Sequence, residues 1–119
     1  MARILIVEDE ALIAELLIMY LEELGHQVIG PAPTVDQALS LLKADRPELA
    51  ILDCALGQQE STPVAEILAR ENIPFAFATG RGADALPSGF RDRPVIAKPY
   101  IYEDVERILA KLRPEPSAG

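Results

Sequence analysis

Short apolar runs and helical stripes alternate along the chain. Five runs of five or six residues are mostly apolar, a pattern typical of strands buried on both faces of a sheet. They are RILIV at 3–7, HQVIG at 26–30, ELAILD at 48–53, PFAFAT at 74–79 and PVIAK at 94–98. Because these runs alternate with helical segments, we predict an α/β fold with a doubly wound, five-stranded parallel sheet.

The helical segments carry their own start and stop signals. The first stripe ends before Gly25, a residue that suits the C′ position of a helix. Thr34 and Gln37 form a capping-box pattern at the start of the second helix. Thr62 and Pro63 suit the N-cap and the first turn of the third. The stripe of the final helix consists of Ile101, Val105, Ile108 and Leu112.

The connection between the fourth and fifth strands departs from this regularity. Its sequence, GRGADALPSGFRDR at 80–93, holds three glycines and a proline. Both residue types disfavour the interior of a helix. We therefore expect the fourth helix to be short.

Length and composition limit the classes of protein to consider. The 119 residues suit a single domain, which we expect at 1–113, with a flexible tail at 114–119. No window of eighteen apolar residues and no leader pattern is present, so we expect neither a membrane span nor a signal peptide. A single cysteine favours the reducing cytoplasm. The net charge of -8 argues against a nucleic-acid partner, which requires clustered lysine and arginine.

Polar residues follow the apolar runs at one end of the predicted strands. Glu8 and Asp9 follow the first run, and Asp53, Thr79 and Lys98 end the third, fourth and fifth. The carboxyl ends of parallel strands lie at one edge of the sheet, where ligands bind in folds of this kind. We therefore expect these five side chains to converge.

The expected cluster needs a compensating positive charge. Two carboxylates 4 Å apart repel by roughly 1 kcal/mol in water and by about 4 kcal/mol at an effective dielectric of 20. Glu8, Asp9 and Asp53 contribute -3 and Lys98 contributes +1, so a divalent cation brings the sum to zero. Oxygen ligands without histidine or cysteine favour Mg²⁺. A carboxylate beside a metal and a lysine can attack phosphorus to form an aspartyl phosphate.

The ordered set Glu8-Asp9, Asp53, Thr79 and Lys98-Pro99 resembles the receiver domain of two-component response regulators, over nearly the whole chain. The resemblance implies a flavodoxin-like (βα)5 fold. It also implies that Asp53 accepts a phosphoryl group from a histidine kinase or a histidine phosphotransfer protein. Such a protein is a signalling receiver rather than an enzyme, and it catalyses only its own phosphorylation and dephosphorylation.

The resemblance also assigns roles to the other residues. Asp9, Asp53 and the backbone carbonyl of Ala55 would ligate Mg²⁺, and Glu8 would act through water. Lys98 would pair with the phosphoryl group, and the peptide bond before Pro99 would be cis. Thr79 would move toward the phosphate and pull its loop along, and Gly80 would make that loop compliant.

Some positions depart from the family pattern. Receivers usually carry an aromatic switch residue three positions before the lysine, where this chain has Val95. Tyr100 or Tyr102 could take that role. The FATG sequence at 77–80 resembles a variant group of single-domain receivers from bacterial stress and general signalling pathways.

Two other functional classes compete with a free-standing receiver. A pseudo-receiver would bind partners without phosphorylation; Val95 favours it, whereas Asp9, Asp53 and Lys98 argue against it. A haloacid-dehalogenase-type phosphatase would need a second aspartate two residues after the nucleophile, where this chain has Ala55. The downstream protein target and a phosphorylation-dependent dimer both stay open.

Three further residues bear on function. Ile18 and Met19 are expected on the outward face of the first helix, where apolar side chains indicate a partner surface. In receivers this helix commonly meets the kinase or phosphotransfer partner. Cys54 follows the expected phosphoacceptor directly and is predicted to be a buried, inert thiol.

Overall fold

The computed structural model describes residues 1–80 and 86–112. Within these ranges seven strands and four helices follow one another in chain order. The strands are β1 (Arg3–Val7), β2 (Gln27–Ala32), β3 (Leu49–Asp53), β4 (Ala55–Leu56), β5 (Gln59–Glu60), β6 (Phe75–Thr79) and β7 (Val95–Ala97). The helices are α1 (Ala11–Glu23), α2 (Val35–Ala44), α3 (Thr62–Arg70) and α4 (Tyr102–Leu112).

Five of the strands form the predicted parallel sheet. Their order is β2-β1-β3-β6-β7, and every neighbouring pair is parallel. All residues of β3 and β6, at the centre of the sheet, are buried. The prediction of a doubly wound, five-stranded α/β fold is confirmed.

The helices cover both faces of the sheet. Leu17 and Leu21 of α1 and Val105 and Ile108 of α4 belong to one buried apolar cluster. The cluster on the other face includes the buried side chains of α2 and α3, which are Val35, Ala38, Val64, Ala65 and Leu68. Each helix therefore buries one apolar stripe against the sheet.

Two of the predicted helix signals are confirmed, and one is wrong by a residue. Gly25 follows α1 with φ +89°, and the Thr34 side chain accepts a hydrogen bond from the backbone N–H of Gln37 at 3.1 Å. The N-cap of α3 is Ser61 rather than Thr62. The Ser61 hydroxyl is buried and donates to the Cys54 carbonyl at 3.3 Å, so it does not cap the helix.

Residues 86–94, in the connection between β6 and β7, form turns and no helix. Residues 81–85, the other part of the region where a short helix is predicted, lie outside the described residues. Phe90 packs edge-on against Phe75 and Phe77 of β6, with ring centroids 6.0 Å apart in both pairs. The Arg93 guanidinium lies 4.4 Å from the Phe75 ring centroid. An aromatic loop thus covers part of the sheet face.

Two features were not predicted. Strands β4 and β5 form a short antiparallel ribbon directly after β3, with Gly57 at φ +63° in its turn. The Gly30–Pro31 peptide bond in β2 is cis.

Two remaining predictions concern the domain boundary and the expectation of no membrane span. The predicted tail at 114–119 lies outside the described residues, so the boundary at 113 stays a prediction. Among residues 1–80 and 86–112, no helix is both long enough and apolar enough to cross a membrane.

Candidate functional site

The five residues predicted to converge lie together at the carboxyl edge of the sheet. Asp53 ends β3 and is in register with Ala78 of β6, and Thr79 ends β6 in register with Ala97 of β7. An open cavity of about 730 Å³ lies at this edge, and its lining includes Asp9, Asp53, Thr79, Gly80 and Lys98.

Lys98 is the centre of the charge arrangement. Its Nζ lies 2.8 Å from Asp53 Oδ2 and 3.0 Å from Glu8 Oε1. A third carboxylate oxygen, Glu10 Oε1, lies 3.4 Å away. Burial alone lowers the pKa of Lys98, but its hydrogen bonds to Asp53 and Glu8 outweigh burial and raise this pKa well above its ordinary value. The lysine is therefore a fixed positive charge beside the Asp53 carboxylate.

Glu8 is a buried carboxylate held between a cation and an anion. Its Oε2 accepts hydrogen bonds from Lys98 Nζ and from the Glu10 backbone N–H, both at 3.2 Å. Its Oε1 forms the ion pair with Lys98 but lacks the geometry of a hydrogen bond. Burial, and then the neighbouring Asp53, raise the pKa of Glu8 to about 7. Glu8 therefore carries an ionisable proton near neutral pH.

Asp9 lies on the outer side of the site. Its side chain is exposed, and its Oδ2 accepts a hydrogen bond from the Gly57 backbone N–H at 2.9 Å. The Ala55 N–H in turn reaches Asp53 Oδ1 at 3.5 Å. The ribbon of β4 and β5 is thus tied to two of the acidic residues.

The donor set fits a hard divalent cation. Carboxylate oxygens of Glu8, Asp9, Glu10 and Asp53 all lie within 4.8 Å of one another. All the ligand atoms in this group are oxygens, which is the preference of Mg²⁺. Glu10, the last residue of the VEDE sequence at 7–10, joins the three carboxylates counted in the predicted charge balance.

Thr79 and Cys54 are buried beside Asp53. The Thr79 carbonyl accepts a hydrogen bond from the Lys98 backbone N–H at 3.1 Å, which joins the ends of β6 and β7. Burial, and then the charge of Asp53, raise the pKa of Cys54 to about 11. The predicted burial of the thiol is confirmed, and its raised pKa keeps it protonated at neutral pH.

The residues after Lys98 turn the chain back into the core. The Lys98–Pro99 peptide bond is cis, as the resemblance implied. Tyr100 is buried, and Tyr102 packs edge-on against Tyr20 of α1 with ring centroids 5.5 Å apart. Val95 is half-buried in the core cluster that includes β6 residues Phe75 and Phe77. The substitution of either tyrosine for the missing aromatic residue stays a prediction.

The predicted partner surface is partly wrong. Met19 is 62% exposed, as predicted, but Ile18 is half-buried and packs against the core. The reason is helical phase. Helix α1 turns Ala14, Leu17 and Leu21 into the core, and Ile18 lies at the edge of the same face because it is four residues after Ala14 and three before Leu21. Three further large apolar residues of the described chain are exposed, namely Met1 at 73%, Leu12 at 81% and Ile101 at 55%. The predicted place of Ile101 in the stripe of the final helix is wrong, because α4 begins one residue later, at Tyr102.

Comparison with known proteins identifies the family. The family model described as the response regulator receiver domain matches residues 4–109. The chain belongs to the response regulator receiver family. Receivers of this family are signalling proteins of two-component systems and generally not enzymes.

Several receivers resemble this chain over most of its length. The solution structure of SdrG from Sphingomonas melonis Fr1 is 48% identical with a TM-score of 0.84, covering 94% of this chain and 96% of that one. PhyR from Methylorubrum extorquens is 35% identical over 91% of this chain and 42% of its own length. PdtaR from Mycobacterium tuberculosis is 31% identical over 87% of this chain and 52% of its own length. The chain thus spans about half the length of PhyR and of PdtaR.

Proposed function

We propose that the chain is a phosphorelay receiver in which Asp53 accepts a phosphoryl group from a histidine kinase or a histidine phosphotransfer protein. The observation that carries this proposal is the 2.8 Å contact between Lys98 Nζ and Asp53 Oδ2 at an open cavity. The Asp53 carboxylate thus lines an open cavity while its charge partner is fixed. The alternative of a pseudo-receiver rests on Val95 and is weakened by this contact.

Asp53 would attack the phosphorus atom of the donor. A bond forms between an Asp53 carboxylate oxygen and phosphorus as the bond from phosphorus to the donor imidazole breaks, and the imidazole leaves with that electron pair. The Lys98 ammonium would stabilise the negative charge on the phosphoryl oxygens. The Thr79 hydroxyl, at the end of the neighbouring strand, would donate to one of those oxygens.

The acidic cluster would hold the required cation. Asp9, Asp53 and the backbone carbonyl of Ala55 would be the protein ligands of Mg²⁺, and Glu8 would contribute through water. When bound, Mg²⁺ would neutralise negative charge at the transferring phosphoryl group. The oxygen-only donor set within 4.8 Å supports this assignment.

Thr79 and its loop would carry the response to phosphorylation. Movement of Thr79 toward the phosphoryl group would displace Gly80. A Cβ atom added at Gly80 would meet no heavy atom of residues 1–80 or 86–112 within 4 Å, so these residues leave the position room to move. Pro99 and Tyr100, which follow the lysine, would transmit the change to α4. Since Tyr100 is buried, its response would be a change in packing rather than exposure.

The partners would contact the exposed apolar residues of α1 and its surroundings. Met19 and Leu12 are exposed on α1, and Ile101 is exposed just before α4. The contact between Tyr20 and Tyr102 brings these two elements together. We assign this surface, in place of the one predicted from Ile18 and Met19, to the phosphodonor protein.

The downstream partner is a protein that remains to be identified. PhyR from Bartonella quintana, a solved relative 30% identical with a TM-score of 0.81, is described as an anti-anti-sigma factor. We propose that this chain likewise acts through a protein contact rather than through nucleic acid, and that it acts in the cytoplasm. A phosphorylation-dependent dimer is a further prediction.

The direct test is phosphorylation of the purified chain by a small phosphodonor. We expect a mass gain of one phosphoryl group that requires Mg²⁺, is lost with chelator and is absent in Asp53→Asn. A gain of the same size in Asp53→Asn would refute the assignment of Asp53. No gain from small or protein donors, together with no Mg²⁺ binding, would favour the pseudo-receiver.

The partner surface predicts a selective defect. Met19→Lys places a charge among apolar contacts, so it should slow phosphotransfer from a cognate phosphorylated partner at least tenfold. Phosphorylation by a small donor should be unchanged, because Met19 lies outside the cavity. Glu66→Gln, exposed on α3 at the other face of the sheet, also changes the charge by +1 and is the matched control. Equal losses with both donors would contradict the assignment.

A further inference from the structure

The VEDE sequence contains one acidic residue that the proposed chemistry leaves without a role. Glu10 is the N-cap residue of α1, but its side chain makes no capping hydrogen bond. Its backbone carbonyl instead accepts the first helical hydrogen bond, from Ala14 at 2.9 Å. The carboxylate is therefore not needed to start the helix, and its position calls for another explanation.

The Glu10 side chain approaches the lysine of the site from the solvent side. Its Oε1 lies 3.4 Å from Lys98 Nζ, the longest of the three carboxylate contacts of that ammonium. The Glu10 side chain is 61% exposed, whereas the Glu8 side chain is fully buried. Glu10 also lines the cavity that Asp53 faces. It therefore stands where a phosphodonor must enter.

We propose that Glu10 is a positioning residue that restrains Lys98 and repels anionic donors, and so limits the rate at which Asp53 is phosphorylated. This inference rests on the proposed phosphoacceptor role of Asp53. In the resting protein Glu10 contacts the Lys98 ammonium, and the incoming phosphoryl oxygens need contacts with the same group. Its negative charge also lies within 4.8 Å of the Asp53 carboxylate and opposes the approach of another anion.

The size of the effect follows from the charges. At a separation near 5 Å in water, the repulsion energy between two like unit charges slows association about threefold to fourfold, and salt reduces this factor. A dianionic donor feels the repulsion twice. Glu10→Gln should therefore accelerate phosphorylation by a dianion about ninefold to sixteenfold at low ionic strength, and about threefold to fourfold at physiological ionic strength.

The test compares Glu10→Gln with the unchanged chain at saturating Mg²⁺. Acetyl phosphate serves as the dianionic donor, and phosphoramidate, which carries less negative charge at pH 7, as the second. In the reaction with acetyl phosphate, Asp53 forms a bond to phosphorus while the donor's phosphorus–oxygen bond breaks and acetate leaves with the electron pair. Glu15→Gln, exposed on the same helix, makes the same charge change away from the cavity.

The expected result is a higher second-order rate constant for Glu10→Gln alone. The gain should be larger with acetyl phosphate than with phosphoramidate, and it should shrink as salt is added. An unchanged or lower rate, or an equal gain in Glu15→Gln, would overturn the proposal. A gain of equal size for both donors that salt does not alter would also overturn it, because it would show a structural effect.

A second readout separates this inference from the proposed function. Inorganic phosphate is titrated into both proteins with Mg²⁺ present, and the backbone amide signals of Asp53 and Gly80 are followed by NMR. Glu10→Gln should bind phosphate more tightly by a similar factor, even if neither protein can be phosphorylated. Equal phosphate affinities would count against Glu10 regardless of the fate of Asp53. Mg²⁺ affinity, measured by calorimetry, shows whether each comparison was made at saturation.

Discussion

At the scale of single residues, the site is governed by the balance of charge around one ammonium group. Lys98 contacts Asp53, Glu8 and Glu10, and no two of these carboxylates are equally exposed. Glu8 is the most buried of the three, and burial, followed by the neighbouring Asp53, raises its pKa to about 7. The same lysine can thus be a structural partner for Glu8 and a functional partner for Asp53.

Tyr100 gives a prediction about pH at this scale. Burial, followed by the charges of Glu8 and Asp53, raises its pKa well above the ordinary value of about 10. The unfolded chain then loses this proton at lower pH than the folded chain, so stability is retained below pH 10 and falls as the pH rises further. By pH 11 the loss should reach about 1.4 kcal/mol from this group.

Tyr100→Phe removes the ionisable group and should remove this part of the alkaline loss. Urea unfolding at pH 8, 10 and 11 measures it, with Tyr20→Phe on α1 as the control for loss of a hydroxyl group. The same loss of stability between pH 8 and pH 11 in the unchanged chain and in Tyr100→Phe would contradict the prediction.

At the scale of elements, residues 86–94 show how side-chain packing can cover a sheet face without a regular helix in that segment. Phe90 contacts both phenylalanines of β6, and Arg93 lies over one of them. Aromatic pairs at such distances contribute about 0.5–1.5 kcal/mol beyond the area that they bury. Residues 86–94 can therefore cover the sheet with turns alone.

Phe90→Ala tests this account of the loop. Because Phe90 is half-buried, its removal should lower the free energy of unfolding by about 2 kcal/mol, less than for a fully buried phenylalanine. Phe90→Leu keeps most of the apolar volume and should cost less than about 1.5 kcal/mol. Chemical denaturation measures both variants. A loss below about 0.5 kcal/mol in Phe90→Ala would show that the loop does not hold this sheet face.

The elements also show which parts of the fold can be predicted from sequence. The five strands and the four described helices follow from apolar runs and stripes, because both report burial directly. The β4–β5 ribbon gives no such signal, because its paired residues, Ala55–Leu56 and Gln59–Glu60, form strands of only two residues and only Leu56 is buried. Helical phase explains the error at Ile18, because Ile18 lies at the edge of the buried stripe of α1 and is partly covered by the core.

At the scale of the whole molecule, charge is distributed unevenly along the chain. Between Arg3 and Lys43 there is no lysine or arginine, whereas this segment includes Glu8, Asp9 and Glu10. The cation that contacts Glu8 and Glu10 is Lys98, which directly follows β7 and lies far along the sequence. The sequence predicted this meeting because parallel strands share one carboxyl edge. The sequence could not predict which of the three carboxylates lies nearest to the Lys98 ammonium, because the contact distances depend on burial and side-chain conformation.

Only one carboxylate in this cluster, that of Asp53, is proposed to accept the phosphoryl group. Glu8, Asp9 and Glu10 all have oxygens within 4.8 Å of Asp53, so a mass gain alone does not identify the acceptor. Borohydride reduces an acyl phosphate to an alcohol, and peptide mass mapping then locates the reduced residue. If Asp53 is the acceptor, we expect reduction at Asp53 alone, which converts it to homoserine. Reduction at Asp9 or at either glutamate in the phosphorylated protein would contradict this assignment.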